Sequence, residues 1–155
     1  MNVVPISELL DDQIRPLVIA SEVEGFCFVR RLVTEWSAGV NRFTGSGEAL
    51  LGAFVENRLV GICGLMRDPY QDERRVARLR NLYVIPGQRS QGIGARLIRC
   101  VIERAASSFT CLRLRAVTAP AAALYEHLGF TATPEIEHCT HIMWFRPGEP
   151  GLRTQ

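Results

Sequence analysis

Along residues 79–106 the hydrophobic period of the chain changes from that of a strand to that of a helix. The run Leu79-Arg80-Asn81-Leu82-Tyr83-Val84-Ile85 is rich in large apolar side chains and stops at Pro86-Gly87, as a strand entering a loop does. Further on, Ile93, Leu97, Val101 and Ala105 recur every four residues while Arg96, Arg99, Glu103 and Arg104 fall between them, which predicts an amphipathic helix. Arg89-Ser90-Gln91-Gly92-Ile93-Gly94 joins the two as a tight turn at the helix start.

The same reading applied elsewhere predicts a strand over residues 3–6. Ser7 is placed to cap a helix over 8–15 that Pro16 interrupts or restarts. A second helix runs over 26–38 on the spacing of Phe26, Val29, Val33 and Trp36, ended by Gly39. Apolar runs 49–55 and 59–65, separated by Glu56-Asn57-Arg58, read as a hairpin, and a charged loop over 66–75 leads to a strand over 76–85. Residues 111–117 alternate Leu112, Leu114 and Ala116 against Arg113 and Arg115, a half-buried strand. A helix over 119–128 follows, with Pro120 in its first turn and Gly129 just past its end, then a strand over 140–145 and a loose tail from Pro147. Strand, helix, strand over 79–117 implies a parallel pair with a crossover, whereas the hairpin implies antiparallel neighbours. The sheet is therefore expected to be mixed, in one domain spanning residues 1–155.

The turn at 89–94 suits an anion. Glycines leave the backbone open to a ligand, and the first N–H groups of a helix have no partner inside it. A phosphate placed there gains donors and the positive end of the helix dipole, worth about 0.3–1 kcal/mol when exposed, and Arg89 can add charge. A dinucleotide fingerprint is excluded because Leu97 stands where its third glycine belongs, and no Gly-Lys-Ser/Thr occurs.

This stretch and its sequel resemble the GNAT N-acetyltransferase superfamily. Members carry Arg or Gln, two residues, Gly, one residue, and Gly or Ala after a strand ending like Leu-Tyr-Val-x-Pro. Arg89, Gly92 and Gly94 match after Leu82-Tyr83-Val84-Ile85-Pro86. The second signature, an Ala-rich helix with a tyrosine closing on Leu-Gly-Phe, is met by Ala121-Ala122-Ala123-Leu124-Tyr125-Glu126-His127-Leu128-Gly129-Phe130. The resemblance covers roughly residues 52–145.

It implies an α/β (α+β) fold, a mixed, mostly antiparallel sheet with a central splayed parallel strand pair flanked by helices. It also implies that acetyl-coenzyme A, as co-substrate, lies between strands 79–85 and 111–117. Its pyrophosphate would rest on Ser90, Gln91, Gly92, Ile93, Gly94 and Ala95 beside Arg89, and its pantetheine arm along the backbone of Leu82, Tyr83 and Val84. Tyr125 would face the coenzyme sulfur, either donating a proton as it leaves or hydrogen-bonding the thiolate. The two amino-terminal helices would cover the acceptor.

Two departures stand out. Thr118 occupies the place of an asparagine that contacts the coenzyme in many members, and neither splayed strand carries the usual glutamate base. Glu35, Asp68, Asp72, Glu73 and His138 are the alternatives for that role. Arg78, Arg80, Arg113 and Arg115 stand on the strands instead, either as solvated edges or as an anchor for a carboxylate or phosphate on the acceptor. The function implied is N-acetyl transfer to a primary amine of a small molecule, an amino acid or a protein amino terminus. A non-catalytic acyl-coenzyme A sensor of the same fold is the alternative.

Composition narrows the partners. A net charge of +2 gives little support to nucleic-acid binding. All 18 basic residues are arginine, so acetylation of the chain's own lysines is ruled out. The five cysteines are scattered, with no Cys-x-x-Cys, and read as reduced, packed thiols; His138, Cys139 and His141 lack the spacing of a zinc site, so no metal is expected. No apolar run reaches membrane-spanning length, and the expected setting is cytoplasmic, with a homodimer compatible with the resemblance.

Overall fold

The computed structural model describes residues 1–145, so the tail expected from Pro147 onward lies outside the described residues. In chain order the elements are β1 (Asn2–Pro5), α1 (Asp11–Val23), α2 (Phe28–Ser37), β2 (Ala49–Val55), β3 (Arg58–Arg67), β4 (Val76–Val84), α3 (Ile93–Ser108), β5 (Cys111–Leu114), α4 (Ala119–His127), β6 (Thr131–Ala132) and β7 (His141–Trp144). They form one mixed seven-stranded sheet in the order β1-β2-β3-β4-β5-β7-β6, with β4 and β5 its parallel pair.

The β2–β3 hairpin turns on Glu56 and Asn57, at φ 51° and 66°. Positive φ at both central residues gives a turn whose twist matches the strands it joins. Each face of the sheet has its own core. On one, α3 buries Ile93, Leu97, Ile98, Val101, Ala105 and Ala106 against Leu51, Leu65, Leu79, Leu112 and Leu114. On the other, α1 and α2 bury Ile14, Leu17, Val18, Val29 and Leu32 against Leu50, Leu59, Ile62 and Tyr83.

Local signals failed most at α1. The helix begins at Asp11 with no side-chain cap, not at Ser7, and Pro16 sits inside it. An interior proline forgoes one helical hydrogen bond at about 3 kcal/mol. Pro16 lies on the exposed side, while Ile14, Leu17, Val18 and Ser21 form the buried side, and that packing carries the helix through. The short edge strand β6 has no counterpart in the sequence pattern, for two residues are too few to show a period.

Two features of the sheet make the cleft. In β4, Ile62 of β3 faces Tyr83 but Gly64 faces Arg80, so β4 carries one extra residue there, and Asn81 adopts φ 60°. This bulge flips the alternation. Ala77 and Leu79 face the α3 core before it, Leu82 and Val84 face that core after it, and Tyr83 turns to α1 and α2. In β5, pairing with β4 covers only Val76 with Cys111, Ala77 with Leu112 and Arg78 with Arg113. The strand expected over 111–117 ends at Leu114. Beyond it the chain bends towards β7, where Thr140 N–H donates to the Leu114 carbonyl at 2.8 Å and Ala116 N–H to Thr140 Oγ1 at 2.8 Å.

Candidate active site

Between the parting strands lies a cleft of about 200 Å³, lined among others by Leu79, Arg80, Asn81 and Leu82 of β4, Ala116 beyond β5, Phe28 of α2 and Tyr125 of α4. From Leu79 onward the β4 edge facing β5 has no strand partner. An unpaired edge inside a sheet is a ready template for an extended, amide-bearing chain. Leu82, Tyr83 and Val84 occupy that edge. The Tyr83 side chain points away, buried against α2, and its hydroxyl donates to Glu24 at 2.5 Å.

At the far end of β4 a short 3₁₀ turn (Pro86–Gln88) leads into α3. Ser90 and Gly92 take φ 63° and 81°, and none of the backbone N–H groups of Ser90, Gln91, Gly92, Ile93, Gly94 and Ala95 donates a hydrogen bond among the described residues. A side chain added at Gly92 would meet no protein atom within 4 Å. Six free donors at a helix start form an anion cradle, and the residues present fit a pyrophosphate.

Arg89 is placed differently from a free phosphate ligand. Its Nη1 and Nη2 donate to the Glu24 carboxylate at 2.8 and 2.7 Å, and its Nε to the Val84 carbonyl at 2.9 Å. These bonds, with that from Tyr83, hold Glu24 at about 2, well below the usual 4.5, while burial and the Glu24 bond push Tyr83 up to about 12. Arg89 thus ties the cradle to the α1–α2 junction, an assignment no local signal gives because Glu24 lies 65 residues away.

Tyr125 lines the cleft from α4, its ring edge-on to Phe130 with centroids 5.6 Å apart. Its hydroxyl makes no hydrogen bond among the described residues, and burial raises its pKa above the ordinary tyrosine value. The phenol therefore stays protonated and has an O–H to donate. His141, which sequence reasoning considered only as a metal ligand, holds this region. Its Nε2 lies 2.9 Å from Glu126 Oε2, next to Tyr125 in the chain, and its Nδ1 lies 2.8 Å from Thr140 Oγ1. The pair ties α4 to β7 and so positions Tyr125. Thr118 caps α4, its Oγ1 accepting from Ala121 N–H at 3.2 Å.

The face of β4 and β5 opposite α3 carries arginines. Arg78 and Arg113 are register partners, buried, and share Asp68, which is fully buried and 3.9 and 3.5 Å from their Nη1 atoms. Tyr70 N–H donates to Asp68 Oδ1, and the Tyr70 ring lies under the Arg78 guanidinium while stacking on His138. Arg80 and Arg115 line the cleft beside Arg78. Of the carboxylates considered as base, Asp68 is thus committed to two guanidinium groups, and none of Glu35, Asp72, Glu73 or His138 lines the cleft. Among the described residues no three His, Cys, Asp or Glu side chains gather as metal ligands, and no helix is long and apolar enough to cross a membrane.

Comparison with known proteins agrees with this geometry. Residues 46–132 match the model of the Acetyltransferase (GNAT) domain family. A protein of Exiguobacterium sp. 255-15, provisionally designated an acetyltransferase, has a similar structure at a TM-score of 0.79 and 29% identity, covering 93% of this chain and 94% of that one. An acetyltransferase of the GNAT family from Staphylococcus aureus Mu50 (TM-score 0.72, 17% identity, 92% and 98% covered) and a ribosomal-protein-alanine N-acetyltransferase from Brucella melitensis (0.69, 18%, 93% and 99%) share the fold. No curated protein matches the sequence. The matched segment takes in the cradle, the bulged strand and Tyr125, and the chain belongs to the GNAT acetyltransferase family.

Proposed function

We propose that the protein is an acetyl-coenzyme A dependent N-acetyltransferase that acetylates a primary amine of a small molecule, an amino acid or a protein amino terminus in a ternary complex. The observation that carries this reading is the free Tyr125 hydroxyl in the cleft beside the unpaired edge of β4. Bound acetyl-coenzyme A supplies a thioester whose C–S bond breaks as the amine nitrogen bonds to the carbonyl carbon. The N–H groups of residues 90–95 hold the pyrophosphate, and the backbone of Leu82, Tyr83 and Val84 holds the pantetheine arm. One of these strand N–H groups polarises the thioester carbonyl. Tyr125 donates a hydrogen bond to the departing sulfur, which leaves as the thiolate while the surplus proton on the acylated nitrogen passes to water. Since thiols have a pKa of about 8.5 and phenols about 10, and burial raises the phenol further, the proton stays on the tyrosine oxygen.

The lining holds no carboxylate or imidazole. An alkylammonium of pKa about 10.4 is only about one part in 2,500 neutral at pH 7. The guanidinium groups of Arg78, Arg80 and Arg115 disfavour a second positive charge beside them, which lowers the pKa of a bound ammonium and favours loss of its proton to water.

The test is thiol release from acetyl-coenzyme A against amino acids, polyamines, aminoglycosides and short peptides. Tyr125→Phe is expected to lower kcat more than tenfold at an unchanged melting temperature; wild-type turnover in that variant removes Tyr125 from the mechanism. The absence of a lining base favours one other reading, an acyl-coenzyme A sensor, whose mark is tight coenzyme binding without release across the panel.

A further inference from the structure

We propose that the amine taken by this cleft carries its own carboxylate or phosphate, held by Arg78, Arg80 and Arg115; this deepens the acetyl-transfer reading and rests on it. Ala77, Leu79, Leu112 and Leu114 belong to the α3 core, so Arg78, Arg80 and Arg113, which alternate with them, lie on the opposite face, the side from which Phe28 of α2 closes the cleft. Charge on this face is unbalanced. Arg78 and Arg113 sit side by side in the register, where like charges repel, and Asp68 offsets one of the two. Neither Arg80 nor Arg115 has a carboxylate partner among the described residues. Arg80 has only the weak acceptor Met66 Sδ, at 3.4 Å.

The hydrogen-bond accounting points the same way. The Arg78 side chain lines the cleft and is 8% exposed, yet its Nη1 has no hydrogen-bond acceptor among the described residues. The Asp68 contacts, at 3.9 and 3.5 Å, fall short of hydrogen-bond geometry. Buried guanidinium N–H groups without acceptors are costly, and a carboxylate or phosphate satisfies several at once because its oxygens match the guanidinium fork. Tyr70 and His138 close the cluster on its outer side through the Arg78–Tyr70 and Tyr70–His138 contacts, and neither supplies a negative charge that would compete.

Two measurements test this separately from acetyl transfer itself. In the first, the full chain is titrated with inorganic phosphate and, separately, with acetate while the guanidinium Nε–H NMR signals are followed, so that binding at the arginines is distinguished from binding at the start of α3. Saturable shifts at the cleft arginines are expected, with affinity falling about tenfold in Arg80→Gln and in Arg115→Gln and unchanged in Arg58→Gln at the start of β3, which does not line the cleft. No saturable shift with either anion overturns the proposal whatever the enzyme acetylates. In the second, matched acceptors are compared, alanine against ethylamine and phosphoethanolamine against ethanolamine. The anionic member of a pair is expected to show a kcat/KM at least tenfold higher, the favoured pair naming the anion, and Arg80→Gln should erase that preference by raising KM. Equal use of both members in each pair overturns the proposal and leaves acetyl transfer standing. Transfer to no amine, with phosphate still saturating the arginines, removes the acetyl-transfer reading and keeps the anion site.

Discussion

Just past the carboxyl end of β4 stand six backbone N–H groups, Ser90 to Ala95, whose geometry depends on Gly92 at φ 81°; towards its other end stand arginine side chains of β4 and β5 with the buried Asp68 beside two of them. Both ends suit an anion, by different means. The first is made by chain direction and needs almost no particular side chain beyond its glycines, so it is local in sequence and indifferent to most substitutions. The second is made by side chains on Arg78, Arg80, Arg113 and Arg115 that meet only because β4 and β5 pair over three residues and then part. Under the proposed function, that division would leave the coenzyme to the backbone and the acceptor to side chains.

Breaking the side-chain end should cost the most. Asp68→Ala leaves two buried guanidinium groups without their only carboxylate partner among the described residues, and removal of one member of a buried ion cluster costs about 3–5 kcal/mol. Urea unfolding measures this, and a loss below about 1 kcal/mol would mean that the cluster is solvated like an ordinary surface pair. At the backbone end the expected loss is smaller. Gly92→Ala forces a β-carbon into the left-handed region at about 1–2 kcal/mol, with no steric clash added. Its sharper readout is a KM for acetyl-coenzyme A raised about tenfold, and an unchanged KM would detach the cradle from the coenzyme.

The smallest effect belongs to the link between the cradle and the helices over the cleft. Glu24, held at about 2 against a usual 4.5 by its bonds from Arg89 and Tyr83, contributes stability that is complete above about pH 4.5 and is lost as the pH falls towards 2. Glu24→Gln should therefore flatten the acid limb of stability between pH 4.5 and 2 and leave its shape above that range unaltered. Chemical unfolding at several pH values checks this, and an acid limb as steep as in the parent protein would show that the Arg89–Glu24 contact is not formed in solution.

Over residues 79–106 the signal was carried by consecutive residues, and there the sequence already contained the local structure. The apolar run to Ile85, the Gly92 and Gly94 turn and the four-residue period from Ile93 determined strand, cradle and helix, and Tyr125 in its Ala-rich helix was identifiable from the family pattern. Pro16 inside α1, the bulge at Asn81, the early end of β5 at Leu114 and the Glu24–Arg89 and Asp68–Arg78–Arg113 contacts were decided by tertiary structure. One local hint existed at the bulge, since Asn81 is a polar residue within an apolar strand and asparagine tolerates positive φ better than most. The general reason is range. Propensity, capping and glycine chemistry act over a few residues and can be read in order along the chain. Which charges share a buried space, and where two paired strands separate, depends on the packing of segments far apart in sequence, and that packing exists only once the chain has folded.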